Sequence, residues 1–197
     1  MADLDWLIAR PLAHRGLHDD QNGIIENTPS AFAAAIAARY GIECDLQISS
    51  DGEAMVYHDD ALGRLTEASG RLDAMTAAEL KRVTFKATQD RMMTLGELCD
   101  FVAGGAALLI ELKSPRAGDR RLATRAAKVL SGYAGQAAVM SFEPAQRLSS
   151  WAGSHRGCPA VWPYESTPGA TPLPRPGAPW PRSRTCSRRA RDSWPIW

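Results

Sequence analysis

TPSAFAAAIAARYGIECDLQIS, residues 28–49, carries a helix signal and a strand signal back to back. Thr28 fits an N-cap and Pro29 the first helical position; an alanine-rich run follows, and Gly41 suits the C-cap. GIECDLQIS then reads as a strand, short and rich in branched residues. PLAHRG (11–16), AMVYHDD (54–60), AALLIELKS (106–114) and AAVMSF (137–142) give four more strands of the same kind. Thr76 with Glu79 and Thr94 with Glu97 have the T-x-x-E spacing of a reciprocal cap, so helices should begin at both points, and another fits residues 119–130. Strands alternating with helices imply parallel pairing, because each crossover needs about a dozen residues or more. The chain is therefore α/β, as an open sheet or a barrel.

Chemistry belongs at the C-terminal ends of such strands. Glu43 and Asp45 are two apart in a strand and so project to one face, where two like charges need a cation or a proton between them. Glu111 follows a run of apolar residues, where an unpaired charge would cost several kcal/mol, and Lys113 shares its face. Carboxylate ligands without a Cys or His cluster point to Mg²⁺ or Ca²⁺ rather than Zn²⁺. His14 ends the first strand beside Arg15, and His58 ends AMVYHDD. Two imidazoles titrating near neutrality can serve as acid and base, and Arg15 offers a planar fork to a phosphate. Each residue also has an ordinary reading: a strand-end histidine is commonly structural, Glu43 and Asp45 could face solvent, and Lys113 could simply pair with Glu111. His18 and His155 stay in that ordinary class. The combination carries the argument, since five strand ends all bear polar residues.

Composition sets outer limits. The 197 residues are 45% hydrophobic and 23% charged, as in a globular domain with one substantial core. MADLDWLIARPLAHRG is acidic first and meets Arg10 and Pro11 early, unlike a secretory leader, and no apolar stretch is long enough to span a bilayer. A cytoplasmic protein is expected. Cys44, Cys99, Cys158 and Cys186 lack metal-ligand spacing and read as free thiols.

The net charge of +1 hides two regions. Residues 1–155 hold 16 basic and 20 acidic side chains; residues 156–197 hold seven arginines, two acids, nine of the 13 prolines and four of the six tryptophans. With three branched aliphatics, the second region cannot form a periodic apolar face and reads as irregular or disordered.

The strings AHRG (13–16), ENTPSAF (26–32), GIECDLQISSDG (41–52), YHDDALGRLTEASG (57–70), LIELK (109–113) and SF (141–142) resemble, in order and spacing, the glycerophosphodiester phosphodiesterase family over residues 10–150. The resemblance implies a TIM (β/α)₈-type barrel and metal-dependent hydrolysis of glycerophosphodiesters to glycerol 3-phosphate and an alcohol, in lipid and glycerol metabolism. It implies Glu43, Asp45 and Glu111 as ligands of Mg²⁺ or Ca²⁺, His14 and His58 as the acid/base pair, and Arg15 and Lys113 as phosphate contacts. Glu26 and Asn27 match a motif near the metal, and the segment from Asp59 to Leu95 an insertion that shapes the substrate entrance. About five strands precede residue 155 where the barrel has eight, so the expected architecture is an incomplete barrel over 1–155 with a Pro/Arg/Trp-rich tail over 156–197 that reads like translation in a shifted frame. Three hypotheses follow: an active hydrolase acting on a small-molecule glycerophosphodiester, an inactive truncated product, and a tail that binds nucleic acid or another acidic partner. The last ranks lowest, because the arginines are scattered and no nucleic-acid fold accompanies them. A sphingomyelinase-D-like phospholipase is the rival within the enzyme class. No nucleic-acid partner and no membrane span are expected.

Overall fold

The computed structural model describes residues 5–113 and 119–142; the tail assigned to 156–197 and Cys158 and Cys186 lie outside them. The elements run β1 (Leu12–Ala13), α1 (Pro29–Ala37), β2 (Gly41–Ile48), β3 (Ala54–Val56), β4 (Ala61–Leu62), β5 (Gly70–Arg71), α2 (Ala77–Leu80), α3 (Leu95–Val102), β6 (Leu108–Leu112), α4 (Arg121–Leu130) and β7 (Ala137–Met140). β1, β2, β6 and β7 pair side by side, all parallel, and β3 joins the edge of β2. β4 and β5 form a separate hairpin in the insertion between β3 and α3.

β2 is buried along its whole length, and its alternation sorts the structure into two faces. Ile42, Cys44, Leu46 and Ile48 join Leu108, Ile110, Leu112 and Val139 in a core covered by Phe32 and Ala35 of α1, Leu95 and Leu98 of α3, and Leu122, Ala126 and Leu130 of α4. On the other face, Leu12, Leu109, Ala138 and Met140 pack with Trp6 and Leu7 of a short N-terminal 3-10 helix and make an apolar floor. Glu43, Asp45, Glu111 and Lys113 share this face, Glu43 level with Leu109, and Asp45, Glu111 and Lys113 nearer the C-terminal ends of the parallel strands. Cys44 and Cys99 are free thiols in the helix-facing core, as expected.

The capping boxes at Thr76 and Thr94 are both formed, with Glu79 and Glu97 returning the bond to the cap backbone. Two local readings are corrected. α1 does not run to Gly41: Arg39 takes the left-handed conformation (φ 59°), donates from N to Ile36 O, and Tyr40 N reaches back to Ala35 O, the six-to-one closure of a Schellman turn. Gly41 instead opens β2, where an added Cβ would lie 2.5 Å from Leu12 Cδ2 and 3.3 Å from Ala107 O. The second departure is β3, which runs antiparallel to β2, with Leu46 opposite Val56 and Ile48 opposite Ala54. Five residues, Ser49–Glu53, connect the two strands, and Ser49 N donates to Glu53 O, which suits a hairpin and is far too short for a crossover.

Tyr57, Leu62, Leu72, Leu80, Val83, Phe85 and Met92 of the insertion form a small second core with Ile25 and with Met55 of β3. Among the described residues, no helix is long and apolar enough to cross a membrane.

Candidate active site

Register brings the carboxylates together. In the parallel β2–β6 ladder Asp45 is paired with Glu111, and Glu43, two residues earlier, projects to the same face. One oxygen from each of Glu43, Asp45 and Glu111 lies within 4.8 Å of the others, and all three residues are buried. Burial first, and then the Asp45 charge, push the Glu43 carboxyl up to about 8, against the pull of the Arg15 backbone N–H that donates to Glu43 Oε2 at 2.9 Å. Glu43 Oε1 is buried with no hydrogen-bond partner. An orphaned buried oxygen beside two further carboxylates is the donor set a hard divalent cation satisfies, so these residues fit such an ion.

The bases that face the acids come from two strand ends. Lys113 Nζ lies 2.8 Å from Glu111 Oε1 and 3.1 Å from Asp45 Oδ1. Arg15 Nε lies 3.4 Å from Asp45 Oδ2, and its Nη1 donates to Glu26 Oε1 at 3.0 Å. Partial burial opposes the charge of Lys113, yet Glu111 and Asp45 override it and hold the ammonium above its ordinary value.

The loop after β1 is shaped to deliver these groups. Arg15 (φ 57°) and Gly16 (φ 79°) are both left-handed, and Gly16 N donates to Ala13 O and Glu43 O. Gly16 packs directly on α1: a Cβ there would meet Ala31 Cβ at 2.8 Å and Ala31 C at 2.9 Å. Asn27 is also left-handed (φ 55°) and fully engaged with Asp45, donating from Nδ2 to Oδ2 at 2.9 Å and accepting at Oδ1 from Asp45 N at 3.3 Å. Non-glycine residues in this region cost about 1–3 kcal/mol and persist where surroundings over-determine them, typically at functional sites.

His14 stands exposed at the mouth, its pKa lowered first by partial desolvation and then by Arg15, with Asp45 opposing. His58 follows β3. Because β3 is antiparallel, the chain past Val56 runs back beside Asp45: Tyr57 N donates to Asp45 O, and Gln47 Nε2 donates to His58 O at 2.9 Å. His58 Nδ1 lies 2.7 Å from Asp59 Oδ1. Burial raises the Asp59 carboxyl, but the Arg64 and His58 bonds outweigh it and leave the pKa lowered. An ionised carboxylate only accepts, so this contact places a proton on His58 Nδ1 and leaves Nε2 as the acceptor of the neutral ring.

The structure thus gathers Glu43, Asp45, Glu111, Lys113 and Arg15 in mutual contact, with His14 and His58 on the two flanking loops. Sequence reasoning missed Gln47, Asp59 and Arg64. The two-residue period that linked Glu43 to Asp45 extends to Gln47 and would have found it; Arg64, five residues beyond Asp59 in the insertion, gives no periodic signal.

A profile of the glycerophosphoryl diester phosphodiesterase family matches residues 14–147. The glycerophosphodiester phosphodiesterase of Caldanaerobacter subterraneus subsp. tengcongensis is 33% identical over 111 residues, which cover 52% of this chain and 44% of that one. The Bacillus altitudinis enzyme of the same name is 41% identical over 71 residues, covering 36% and 28%. Among solved structures, the Thermotoga maritima glycerophosphodiester phosphodiesterase superposes with a TM-score of 0.62 at 26% identity, covering 79% of this chain and 62% of that one. An Oleispira antarctica phosphodiesterase, solved with the product sn-glycerol-3-phosphate, gives 0.68 at 24% identity, covering 78% and 65%. The match thus spans under half the length of the first curated relative and under two thirds of most of these structures. The parallel sheet of β1, β2, β6 and β7 is part of the TIM barrel those enzymes share. With the profile covering residues 14–147 and the fold agreeing, the chain belongs to the glycerophosphoryl diester phosphodiesterase family.

Proposed function

We propose that this site hydrolyses glycerophosphodiesters to glycerol 3-phosphate and an alcohol, in lipid and glycerol metabolism, and that it does so with Mg²⁺ or Ca²⁺ held by Glu43, Asp45 and Glu111. The observation that carries this reading is the orphaned Glu43 Oε1 within a triad of carboxylate oxygens on neighbouring strands. A bound divalent ion supplies charge stabilisation to phosphoryl oxygens.

The remaining steps belong to side chains of this chain. Arg15 presents its guanidinium, and Lys113 its ammonium, to the non-bridging oxygens, where transition-state charge develops. His58, with Nδ1–H directed at Asp59, offers Nε2 as proton acceptor for the attacking water, whose oxygen bonds to phosphorus as the bond to the alcohol oxygen breaks. His14, on the opposite loop, donates a proton to the departing alkoxide; a lowered pKa makes its protonated form a readier donor.

The test is hydrolysis of glycerophosphocholine by the purified chain with Mg²⁺ or Ca²⁺, with coupled detection of glycerol 3-phosphate. Activity lost in EDTA and in His14→Ala supports the reading. If no product forms with either ion, the proposal fails for this chain. Activity appearing only when a family C-terminal half is appended would assign the residues correctly and make this chain inactive by itself.

A further inference from the structure

Four charged side chains of alternating sign, ending on His58, cross the mouth of the site and tie the loop after β1 to the loop after β3. Arg15 Nη1 donates to Glu26 Oε1 at 3.0 Å. Arg64 grips the same carboxylate, Nη2 to Oε1 at 2.6 Å and Nη1 to Oε2 at 3.2 Å. Its other edge grips Asp59, Nε to Oδ2 at 2.6 Å and Nη2 to Oδ1 at 3.1 Å. Asp59 Oδ1 in turn holds His58 Nδ1. The row begins one residue after His14 and ends on His58.

Arg64 is mounted firmly. It lies between β4 and β5, where Gly63 N donates to Thr66 Oγ1 at 3.1 Å, Lys86 Nζ donates to Gly63 O at 2.5 Å, and Lys86 N donates to Leu65 O at 2.9 Å. Thr66 and Leu62 are buried in the insertion. The guanidinium spends Nε, Nη1 and Nη2 on two carboxylates, each held through both oxygens, so its charge is matched and little remains for a phosphate. That argues against a substrate contact and for a bracket.

We propose that Arg64 is a positioning residue: by gripping Glu26 and Asp59 at once, it fixes the tautomer and orientation of His58 and the separation of His58 from the His14–Arg15 loop. This rests on the reading of His14 and His58 as the acid/base pair. Both grips are two-point contacts of a planar fork, so a lysine ammonium, a point charge, does not replace them. The insertion thereby gains a second role beside the entrance: it carries the residue that aligns a histidine of the barrel.

The test combines ¹⁵N-histidine NMR, with His58 assigned through a His58→Asn variant, and steady-state hydrolysis of glycerophosphocholine with Mg²⁺. In the unsubstituted chain His58 shows a protonated Nδ1 and a bare Nε2 when neutral. In Arg64→Gln and Arg64→Lys the His58 nitrogens report mixed tautomers, and kcat falls on the order of 10²-fold with KM unchanged, as expected for misplacement of a reacting group by about 1 Å. Glu26→Gln, which weakens one grip of Arg64 and leaves the Asp59–His58 contact in place, is expected to shift the same nitrogens and serves should the Arg64 variants not fold; unchanged signals there also overturn the proposal. Unchanged His58 signals in the folded variants overturn the proposal, and so does a raised KM at constant kcat, which would make Arg64 a substrate contact. If the unsubstituted chain hydrolyses nothing, the proposed function fails while the His58 nitrogens still decide the role of Arg64.

Discussion

Asp45 and Glu111 are direct partners across the parallel β2–β6 ladder, and Lys113 Nζ lies within 3.1 Å of a carboxylate oxygen of each. Two acids and a base are thus fixed by strand register, and the third acid, Glu43, is left with one unpartnered oxygen.

Divalent ions should therefore bind in a pH-dependent way. The Glu43 carboxyl, pushed up to about 8 by burial and by Asp45, holds a proton at neutrality that a cation must displace. Because the folded value is raised above the unfolded one, the ion-free protein loses stability as pH rises through about 8. Mg²⁺ affinity should climb up to about tenfold per pH unit below 8 and level off above it. Calorimetry in two buffers of different ionisation enthalpy should show proton release at pH 7, and the Mg²⁺-induced rise in Tm should be larger at pH 8.5 than at pH 6.

Asn27→Ala should destabilise the protein by roughly 2–4 kcal/mol, since it strips hydrogen bonds from buried Asp45 and puts alanine at φ 55°. Asn27→Gly should recover about 1 kcal/mol, the backbone share. Urea unfolding of the two variants separates strain from lost bonds.

Gly16→Ala should lower stability by about 2 kcal/mol or more, because φ is 79° and the new Cβ would meet Ala31 Cβ at 2.8 Å. The double variant with Ala31→Gly removes the Cβ contact and leaves the 2.9 Å approach to the Ala31 backbone and the conformational cost. Additive losses in denaturant titrations would contradict this packing account.

Thr94→Ala should cost about 1 kcal/mol through loss of the α3 cap. Burial raises Glu97, but the Lys81 bond and the Thr94 backbone and hydroxyl outweigh it, so the pKa is lowered. A depressed folded value contributes stability above the unfolded pKa of about 4.3 and loses it as pH falls through the folded one. The gap between the parent chain and Thr94→Ala should thus shrink between pH 5 and pH 3, read by thermal unfolding.

Helix starts and strand positions were legible because each rests on local chemistry: Pro29, Thr76 and Thr94 mark helix N-termini, and branched runs mark β2 and β6. The three carboxylates were legible because the strand period is local too. The sense of β3 was less so, since alternation of elements suggested a crossover where the short Ser49–Glu53 connection makes a hairpin. Gly41 looked like a cap in sequence because nothing there reveals Leu12 pressing on it, 29 residues away. Arg64 escaped for the same reason: its partner Glu26 is 38 residues distant, and long-range pairs leave no periodic trace.

The floor of Leu12, Leu109, Ala138 and Met140 beneath the acidic groups, sealed by Trp6 and Leu7, also governs how the site meets ions at a distance. Apolar side chains below and packed helices behind are weakly polarisable, so charges on these groups are screened less on those sides than toward solvent. With Glu43 protonated, Lys113 and Arg15 balance Asp45 and Glu111; a divalent ion that displaced the Glu43 proton would leave the pocket positive and ready for an anionic diester, metal before substrate.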